Sequence, residues 1–279
     1  MQLNLSNYHP LSEQMVDIIC TKTQNVDKAF FRVEVAYYLC KLASNMHVSV
    51  KTATDNVMPV NAFAIAFAES GYGKNYSQNI IEEQMLGGFE QHFMEVIYPE
   101  TAKKSIAKKA QQIAHRVSGL SEIDVAADLE KDFSEMGEFL YGFPEGTSPA
   151  LKQICKAISY ASVGAASLEM DEIGYNIGAN QEIMATLLEL YDVGKTKEKL
   201  TKVTKDSKRA KTVKGCTPAN VFAFGTPAVA FDGGRTEQVI QSLLKAGYGR
   251  RSFFAYGDMS VKHSVSTDSD AAFLQLTDT

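Results

Sequence analysis

Residues 60 to 76 place the strongest constraint on the fold. An apolar run from Val60 to Ala68 comes directly before a Gly71-x-Gly73 turn and Lys74, and the sequence that follows has helical periodicity. A strand, a glycine loop and a helix in this order suit anion binding, because glycines let consecutive backbone N–H groups approach an anion closely. The helix N-terminus adds partial positive charge, and a lysine supplies a point charge for phosphate. The predicted phosphate-binding residues are Ser70, Gly71, Tyr72, Gly73, Lys74 and Asn75.

The predicted loop departs from the pattern G-x-x-x-x-G-K-[ST] at two of its four fixed positions. Ala68 stands at the first glycine position, and Asn75 stands at the position of the serine or threonine hydroxyl. An alanine is acceptable there if its φ is negative. The alternative interpretation is a tight connection between a strand and a helix, with Lys74 in solvent.

A second candidate feature is a pair of adjacent acids. A strand of small and apolar residues begins near Val163 and ends in Asp171-Glu172, about 100 residues after the glycine loop. Magnesium prefers hard oxygen ligands, and an attacking water needs a carboxylate beside it, so two acids at a strand end suit a nucleotide-hydrolysing site. The alternative interpretation is a pair of acids in an ordinary turn.

Predicted strands alternate with predicted helices, which indicates an α/β fold with a mainly parallel sheet between helices. We expect five strands, near residues 60–67, 139–143, 165–170, 221–225 and 252–256. Periodicity predicts helices over 11–22, 26–44, 74–99 with a break at Gly87-Gly88, 101–117, 121–137, 148–160, 181–192 and 236–246. The expected organisation is a helical N-terminal segment (1–57), a core (58–257) and a polar C-terminal tail (258–279).

Polar or charged residues follow three of these predicted strands. Ligands of parallel sheets bind at the carboxyl ends of the strands, which is where Lys74, Asp171-Glu172 and Thr226 fall. We therefore expect these side chains to line one nucleotide site.

Composition narrows the class of protein. The 279 residues are 45% apolar, enough for a sizeable core, and no apolar stretch approaches the roughly 20 residues that a membrane span requires. The first residues lack the features of a signal peptide, so we expect a cytoplasmic protein without a membrane partner. The four cysteines and five histidines show no zinc-site spacing. We expect the cysteines to be reduced.

The net charge of −5 argues against a general nucleic-acid binder, but the charge is uneven. A lysine-rich segment, residues 195–214, has nine basic and two acidic residues, a local balance of +7. Such a segment predicts sequence-independent contacts with nucleic-acid phosphates, and a solvated loop is the alternative. Its basic residues are Lys195, Lys197, Lys199, Lys202, Lys205, Lys208, Arg209, Lys211 and Lys214.

With these elements in place, the chain resembles P-loop NTPases of the additional-strand type, and more closely phage-encoded helicase and primase-helicase ATPases. Each matching motif is short, so the resemblance depends on their order. The resemblance implies that Lys74 binds phosphate, that Asn75 and Asp171 serve the metal, and that Glu172 positions the water. It also implies that Thr226 is a polar sensor. The Gly249-Arg250-Arg251 segment matches the arginines that reach a neighbour's γ-phosphate in ring-shaped ATPases, and a surface ion pair is the alternative for them.

The function implied by this resemblance is a DNA-dependent ATPase that uses ATP and Mg²⁺. It would work as a ring-forming, helicase-like motor in phage DNA replication, in the cytoplasm of an infected host cell. The implied partners are single-stranded DNA, further copies of the chain in a homo-oligomeric ring, and replication proteins. A nucleotide-binding assembly or loader scaffold with weak or no turnover is a second hypothesis, which Ala68 and Asn75 favour. A small-molecule P-loop kinase is a third.

Overall fold

Two helices and a small hairpin open the described part of the chain. The computed structural model describes residues 8–117, 119–192, 194–195 and 215–260. Helix α1 is Pro10–Thr23 and α2 is Lys28–Asn45, and they are followed by an antiparallel pair of short strands, β1 (Ser49–Lys51) and β2 (Val57–Pro59). Both predicted N-terminal helices are confirmed. They begin at capping residues, because the His9 side chain accepts from the Leu11 amide and the Asp27 carboxylate accepts from the first amides of α2.

The centre of the fold is a parallel sheet of four strands. These are β3 (Phe63–Ala68), β4 (Ala166–Met170), β5 (Ala219–Gly225) and β6 (Ser252–Gly257). Their order across the sheet is β4-β5-β3-β6, and every neighbouring pair is parallel. All residues of β3 and β5 are buried, as expected of central strands covered on both faces.

The predicted fifth strand, 139–143, is wrong. This segment makes one parallel bridge, in which Phe143 lies beside Leu168 at the outer edge of β4. The Phe143 amide donates to the Ser167 carbonyl, and the Glu169 amide donates to the Phe143 carbonyl. The pairing does not extend beyond this one residue, and Pro144 follows it.

One long helical run follows the glycine loop. It consists of α3 (Lys74–Asn79), a π-helical segment (Ile80–Met85), α4 (Gly87–His92), a second π segment (Phe93–Ile97) and α5 (Tyr98–Arg116). The break falls at residue 86, next to the predicted position. The predicted end at residue 99 is wrong: Pro99 lies in the first turn of α5. A proline is tolerated in the first turn of a helix because the amide that it lacks would have no partner within that helix.

Helices cover both faces of the sheet. The remaining helices are α6 (Glu122–Ser134), α7 (Ser148–Ala161), α8 (Ile173–Leu190), α9 (Pro227–Ala230), α10 (Arg235–Ala246) and a 3₁₀ turn (Tyr248–Arg250). On one face, α7, α8 and α10 pack against Phe63, Ile65 and Leu168. On the other face, α1, α2 and the helix after the glycine loop pack against the alanines of β3 and the phenylalanines of β5. Among the described residues, no helix is long and apolar enough to cross a membrane.

Candidate functional site

A cleft of about 440 Å³ opens at the carboxyl edge of the sheet, the edge at which the four parallel strands end. Its walls are the glycine loop after β3, the acids after β4 and the residue that follows β5. The lining residues are Ser70, Gly71, Tyr72, Gly73, Lys74, Asn75, Tyr76, Asp171, Glu172 and Thr226. The structure therefore brings all six predicted loop residues together with both predicted acids and Thr226.

The glycine loop has the backbone shape that its sequence predicts. Gly71 (φ 79°) and Gly73 (φ 105°) are left-handed, and Gly73 occupies the N-cap position of α3. L-residues rarely adopt these angles, which explains why glycines stand there. Ala68 is the last residue of β3, and its φ is not positive. The condition under which alanine can replace the first glycine is thus met.

Lys74 is buried, with 9% of its surface exposed. Its Nζ donates to the carbonyl of Ala68 (2.6 Å), to the hydroxyl of Thr226 (3.2 Å) and, more weakly, to the carbonyl of Gly225 (3.4 Å). Burial lowers the pKa of Lys74, and the Glu172 carboxylate opposes this shift. The amine therefore joins the ends of two neighbouring strands and is not the solvated lysine of the alternative interpretation.

Glu172, which follows β4, is tied to one of these strand ends, that of β5. Its Oε1 accepts from the amides of Gly174 (3.2 Å) and Thr226 (3.1 Å), and its Oε2 accepts from the Thr226 hydroxyl (2.8 Å). The first of these bonds makes Glu172 the N-cap of α8. The Thr226 hydroxyl, which accepts from Lys74 and donates to Glu172, links the two charged groups. A carboxylate oxygen has two lone pairs, so Oε2 keeps one for a further donor.

The residues expected to serve a metal lie at the mouth of the cleft. Asp171 and Asn75 are both exposed and offer a carboxylate and an amide oxygen. Within the described residues, no group of three or more His, Cys, Asp or Glu side chains could hold a metal ion alone. Mg²⁺ commonly keeps several waters and takes phosphate oxygens, so one or two protein oxygens suit it.

Arg250 and Arg251 do not lie at the cleft. They precede β6, whose first residue pairs with Phe63, the first residue of β3. The glycine loop follows the other end of β3, about 16 Å away at the rise of a strand. Arg251 bonds Asp192 (Nη2 to Oδ2, 2.8 Å) and lies over the Tyr191 ring, whereas Arg250 is exposed. Any contact of these arginines with a nucleotide would have to be made in another copy of the chain.

The lysine-rich segment also starts at the amino edge. Lys195 is exposed, and the neighbouring Gly194 accepts a hydrogen bond from the Thr217 amide (2.8 Å), two residues before β5. The chain on the two sides of the segment therefore meets at one place. The other predicted DNA-binding residues, Lys197, Lys199, Lys202, Lys205, Lys208 and Arg209, lie outside the described residues, so their role stays a prediction.

Sequence reasoning missed the contacts beneath the glycine loop. The turn between α1 and α2 reaches the loop through Asn25, Asp27 and Tyr72. The sequence contains an N-cap signal at Asp27, but nothing in it connects this turn with a loop more than 40 residues later.

A comparison with protein-family models found no match, and comparisons with curated proteins and with solved structures found no significant similarity. The geometry of the cleft therefore carries the functional interpretation.

Proposed function

We propose that the chain binds ATP with Mg²⁺ and hydrolyses it as a DNA-dependent, helicase-like motor ATPase in phage DNA replication. One observation carries the proposal. A buried amine, a hydroxyl and a carboxylate, those of Lys74, Thr226 and Glu172, form a hydrogen-bonded chain beside a left-handed glycine loop. A cation for phosphate and a carboxylate for water are the two charges that phosphoryl transfer to water requires.

Triphosphate binding follows from the loop and the lysine. The backbone from Gly71 to Asn75 lines the cleft, where amides can surround a phosphate without Cβ atoms at Gly71 and Gly73. The Lys74 amine would exchange its bonds with Ala68 and Thr226 for oxygens of the β- and γ-phosphates. A phosphate is a stronger acceptor for an ammonium group than a carbonyl, because the bond then joins opposite charges.

Hydrolysis would use the free lone pair of Glu172. Its Oε2 would accept a hydrogen bond from a water, hold that water in line with the γ-phosphorus, and take its proton as the new P–O bond forms. The bond between the γ-phosphorus and the bridging oxygen breaks, and ADP and phosphate leave. Asp171 and Asn75 would hold Mg²⁺ directly or through water, and the bound ion would neutralise charge on the phosphates.

The order of the strands supports this interpretation. β5 lies between the strand that carries the glycine loop and the strand that carries the acids, so an additional strand separates the two halves of the site. Thr226 is brought between Lys74 and Glu172 for this reason. The likeness in strand order is one of fold alone, and the chemistry of the site carries the proposal.

The proposed DNA binding and ring assembly depend on residues at the amino edge of the sheet. Arg250 is exposed there and would reach the γ-phosphate of a neighbouring copy, so that hydrolysis requires assembly. The +7 segment that begins at Lys195 would contact the phosphates of single-stranded DNA. Replication proteins would be the further partners of such a motor.

A nucleotide-binding scaffold with little or no turnover is the second candidate. It is favoured by the three bonds that Glu172 already makes, which leave a single lone pair for a water. Asn75 favours it too, because an amide at this position replaces the usual hydroxyl near the metal.

The test is phosphate release from ATP and Mg²⁺, with and without single-stranded DNA, together with ATP affinity. We would compare the native chain with Lys74→Ala. Lys109→Ala is the matched control, because Lys109 is a half-buried lysine of α5 whose amine also bonds a carbonyl, that of Tyr160. We expect turnover that DNA stimulates, that Lys74→Ala abolishes and that Lys109→Ala preserves.

Two other results would change the assignment. Binding of ATP without turnover under any condition would replace the motor by the scaffold. Absence of ATP binding in the native chain would overturn both candidates.

A further inference from the structure

We propose that the turn between α1 and α2 is a latch that positions the glycine loop for its ligand, with Asn25, Asp27 and Tyr72 as positioning residues. The side chain of Asn25 donates to the Tyr72 carbonyl (3.0 Å), and the Tyr72 hydroxyl donates to Asp27 Oδ2 (2.5 Å). The latch therefore holds the loop residue between the two glycines by both its backbone and its side chain. The identity of the ligand, ATP, rests on the proposed function, whereas the ordering of the loop does not.

The latch restricts the conformational freedom that the two glycines give to the loop. Gly71 and Gly73 give the loop its left-handed turns, but glycines also allow many other conformations, so the loop needs an external restraint. Tyr72 supplies it, since its side chain is fully buried (0% exposed). The ring packs against Phe30 (centroids 4.9 Å apart) and lies so close to Gly257 that a Cβ there would come within 2.5 Å of ring atoms.

The turn that holds Tyr72 is itself rigid. Asn25 is fully buried, and its Oδ1 accepts from the Asp27 amide (3.0 Å). Asp27 divides its carboxylate between two tasks, since Oδ1 caps α2 through the amides of Ala29 and Phe30 while Oδ2 holds Tyr72. A restraint fixed to the first turn of an 18-residue helix moves only with that helix.

The chemistry of the hydroxyl fits a permanent donor. Burial and the neighbouring Asp27 carboxylate raise the pKa of Tyr72, so the phenol keeps its proton at physiological pH. Asp27 belongs to the turn before α2, whereas Glu172 follows β4 and caps α8. Loss of the latch should therefore weaken ligand binding while the groups proposed to act on water stay in place.

A pre-organised loop binds its ligand without the entropic cost of ordering it at that moment. We therefore expect Tyr72→Phe, which removes only the hydroxyl, to raise the exchange rates of the amides of residues 71–75 about tenfold. This factor corresponds to the loss of one net hydrogen bond. ATP affinity should fall by a similar factor, with KM rising and kcat little changed.

Tyr248→Phe is the matched control. Tyr248 is also fully buried, and its hydroxyl also donates one bond, to the Met184 carbonyl (2.7 Å), but it lies next to the amino edge. We would measure amide hydrogen exchange without any ligand, thermal stability, and affinities for ATP and for inorganic tripolyphosphate. The control should lose comparable stability while the exchange of the loop amides and both affinities stay native.

A second variant covers the case in which Tyr72→Phe does not fold. Asn25→Asp has the same shape but cannot donate to the Tyr72 carbonyl, so it should produce the same changes in loop exchange and affinity. Native loop exchange in both folded variants would overturn the latch, as would an equal increase in Tyr248→Phe. Faster loop exchange in a chain whose native form binds neither ATP nor tripolyphosphate would support the latch and overturn the proposed function.

Discussion

The two edges of the central sheet hold their charges in different ways. At the carboxyl edge, Lys74 and Glu172 are joined through Thr226 and line a cleft. At the amino edge, Arg250 and Lys195 are exposed. The first edge gathers its charged groups around one cleft, whereas the second leaves two cations in solvent.

This difference predicts which substitutions should change function and which should change only the stability of the fold. The ion pair of Arg251 with Asp192 joins a mostly buried arginine to a carboxylate that is more than half exposed, a kind of pair that stabilises a protein by about 0 to 1 kcal/mol. If the groups of the cleft act on a ligand, as we propose, their loss should change function much more than folding. Four predictions, from the largest expected effect to the smallest, test this contrast.

Arg250→Ala would most directly break the contrast. If Arg250 serves the site of a neighbouring copy, the variant should lose about 10³-fold or more in turnover while its ATP affinity changes little. Arg251→Ala is the matched control, because Arg251 is already bonded to Asp192. Mixtures of Arg250→Ala and Lys74→Ala chains should regain part of the activity, because each supplies what the other lacks. Native turnover in Arg250→Ala would leave the amino edge without a role in hydrolysis.

Glu172→Gln should separate binding from chemistry at the carboxyl edge. An amide cannot take a proton from water, so we expect turnover to fall about 10² to 10³-fold with ATP affinity retained. Asp171→Asn should instead raise the Mg²⁺ concentration needed for half-maximal turnover. A Glu172→Gln chain that hydrolyses ATP at the native rate would contradict the assigned role.

The buried Glu34, near the carboxyl edge of the sheet, should make the stability of the fold depend on pH. It is fully buried beside the first turns after the glycine loop, its Oε1 accepts from Ser77, and burial raises its pKa to about 8. The folded chain therefore keeps a proton that the unfolded chain, with a carboxyl pKa near 4.5, loses. The stability contributed by this group is fully present below about pH 4.5, falls as the pH rises, and levels off above about pH 8.

Glu34→Gln should remove this pH dependence, which amounts to at most about 1.4 kcal/mol per pH unit. Urea unfolding at pH 5.5 and pH 8 measures it, and the exposed Glu100→Gln is the control. We expect the variant to gain stability relative to the native chain at pH 8 and to gain less at pH 5.5. An unchanged difference between the two pH values would show that another group is responsible.

Tyr76 should have the smallest effect. It is 44% exposed and adds aromatic surface to a cleft lined mainly by polar groups, so we expect its ring to contact the base of a bound nucleotide. Stacking of this kind contributes about 1 to 3 kcal/mol, so Tyr76→Ala should weaken ATP binding about tenfold and Tyr76→Phe should not. Affinity for tripolyphosphate, which has no base, should stay native in both variants. An equal loss for both ligands would place Tyr76 against the phosphates instead.

Local signals predicted the arrangement of the cleft well. Gly71, Gly73 and Lys74 specify a left-handed loop before a helix, and parallel strands bring their carboxyl ends to one edge whatever their sequence separation. Adjacency of β4 and β5 in the sheet then placed Glu172 within hydrogen-bonding distance of Thr226.

Long-range packing explains what the sequence did not reveal. The segment 139–143 is apolar enough for a strand, but it pairs with β4 at Phe143 alone, and its own sequence does not show how far that pairing extends. Tyr72 is a residue of the predicted phosphate-binding loop, and its side chain is buried because Asp27 and Gly257 lie where it can reach them. The ion pair of Arg251 with Asp192 likewise depends on elements about 60 residues apart.

The short bridge at Phe143 has a consequence for aggregation. Open sheet edges invite strands of other molecules to pair with them. At β4 this edge is occupied by Phe143, and Pro144 after it has no amide to offer a further strand, so among the described strands of the central sheet β6 presents the free edge. A sheet that can grow on one side joins with a single equivalent partner and then stops. Edge pairing between copies would therefore end at a closed dimer and would not propagate into a fibre.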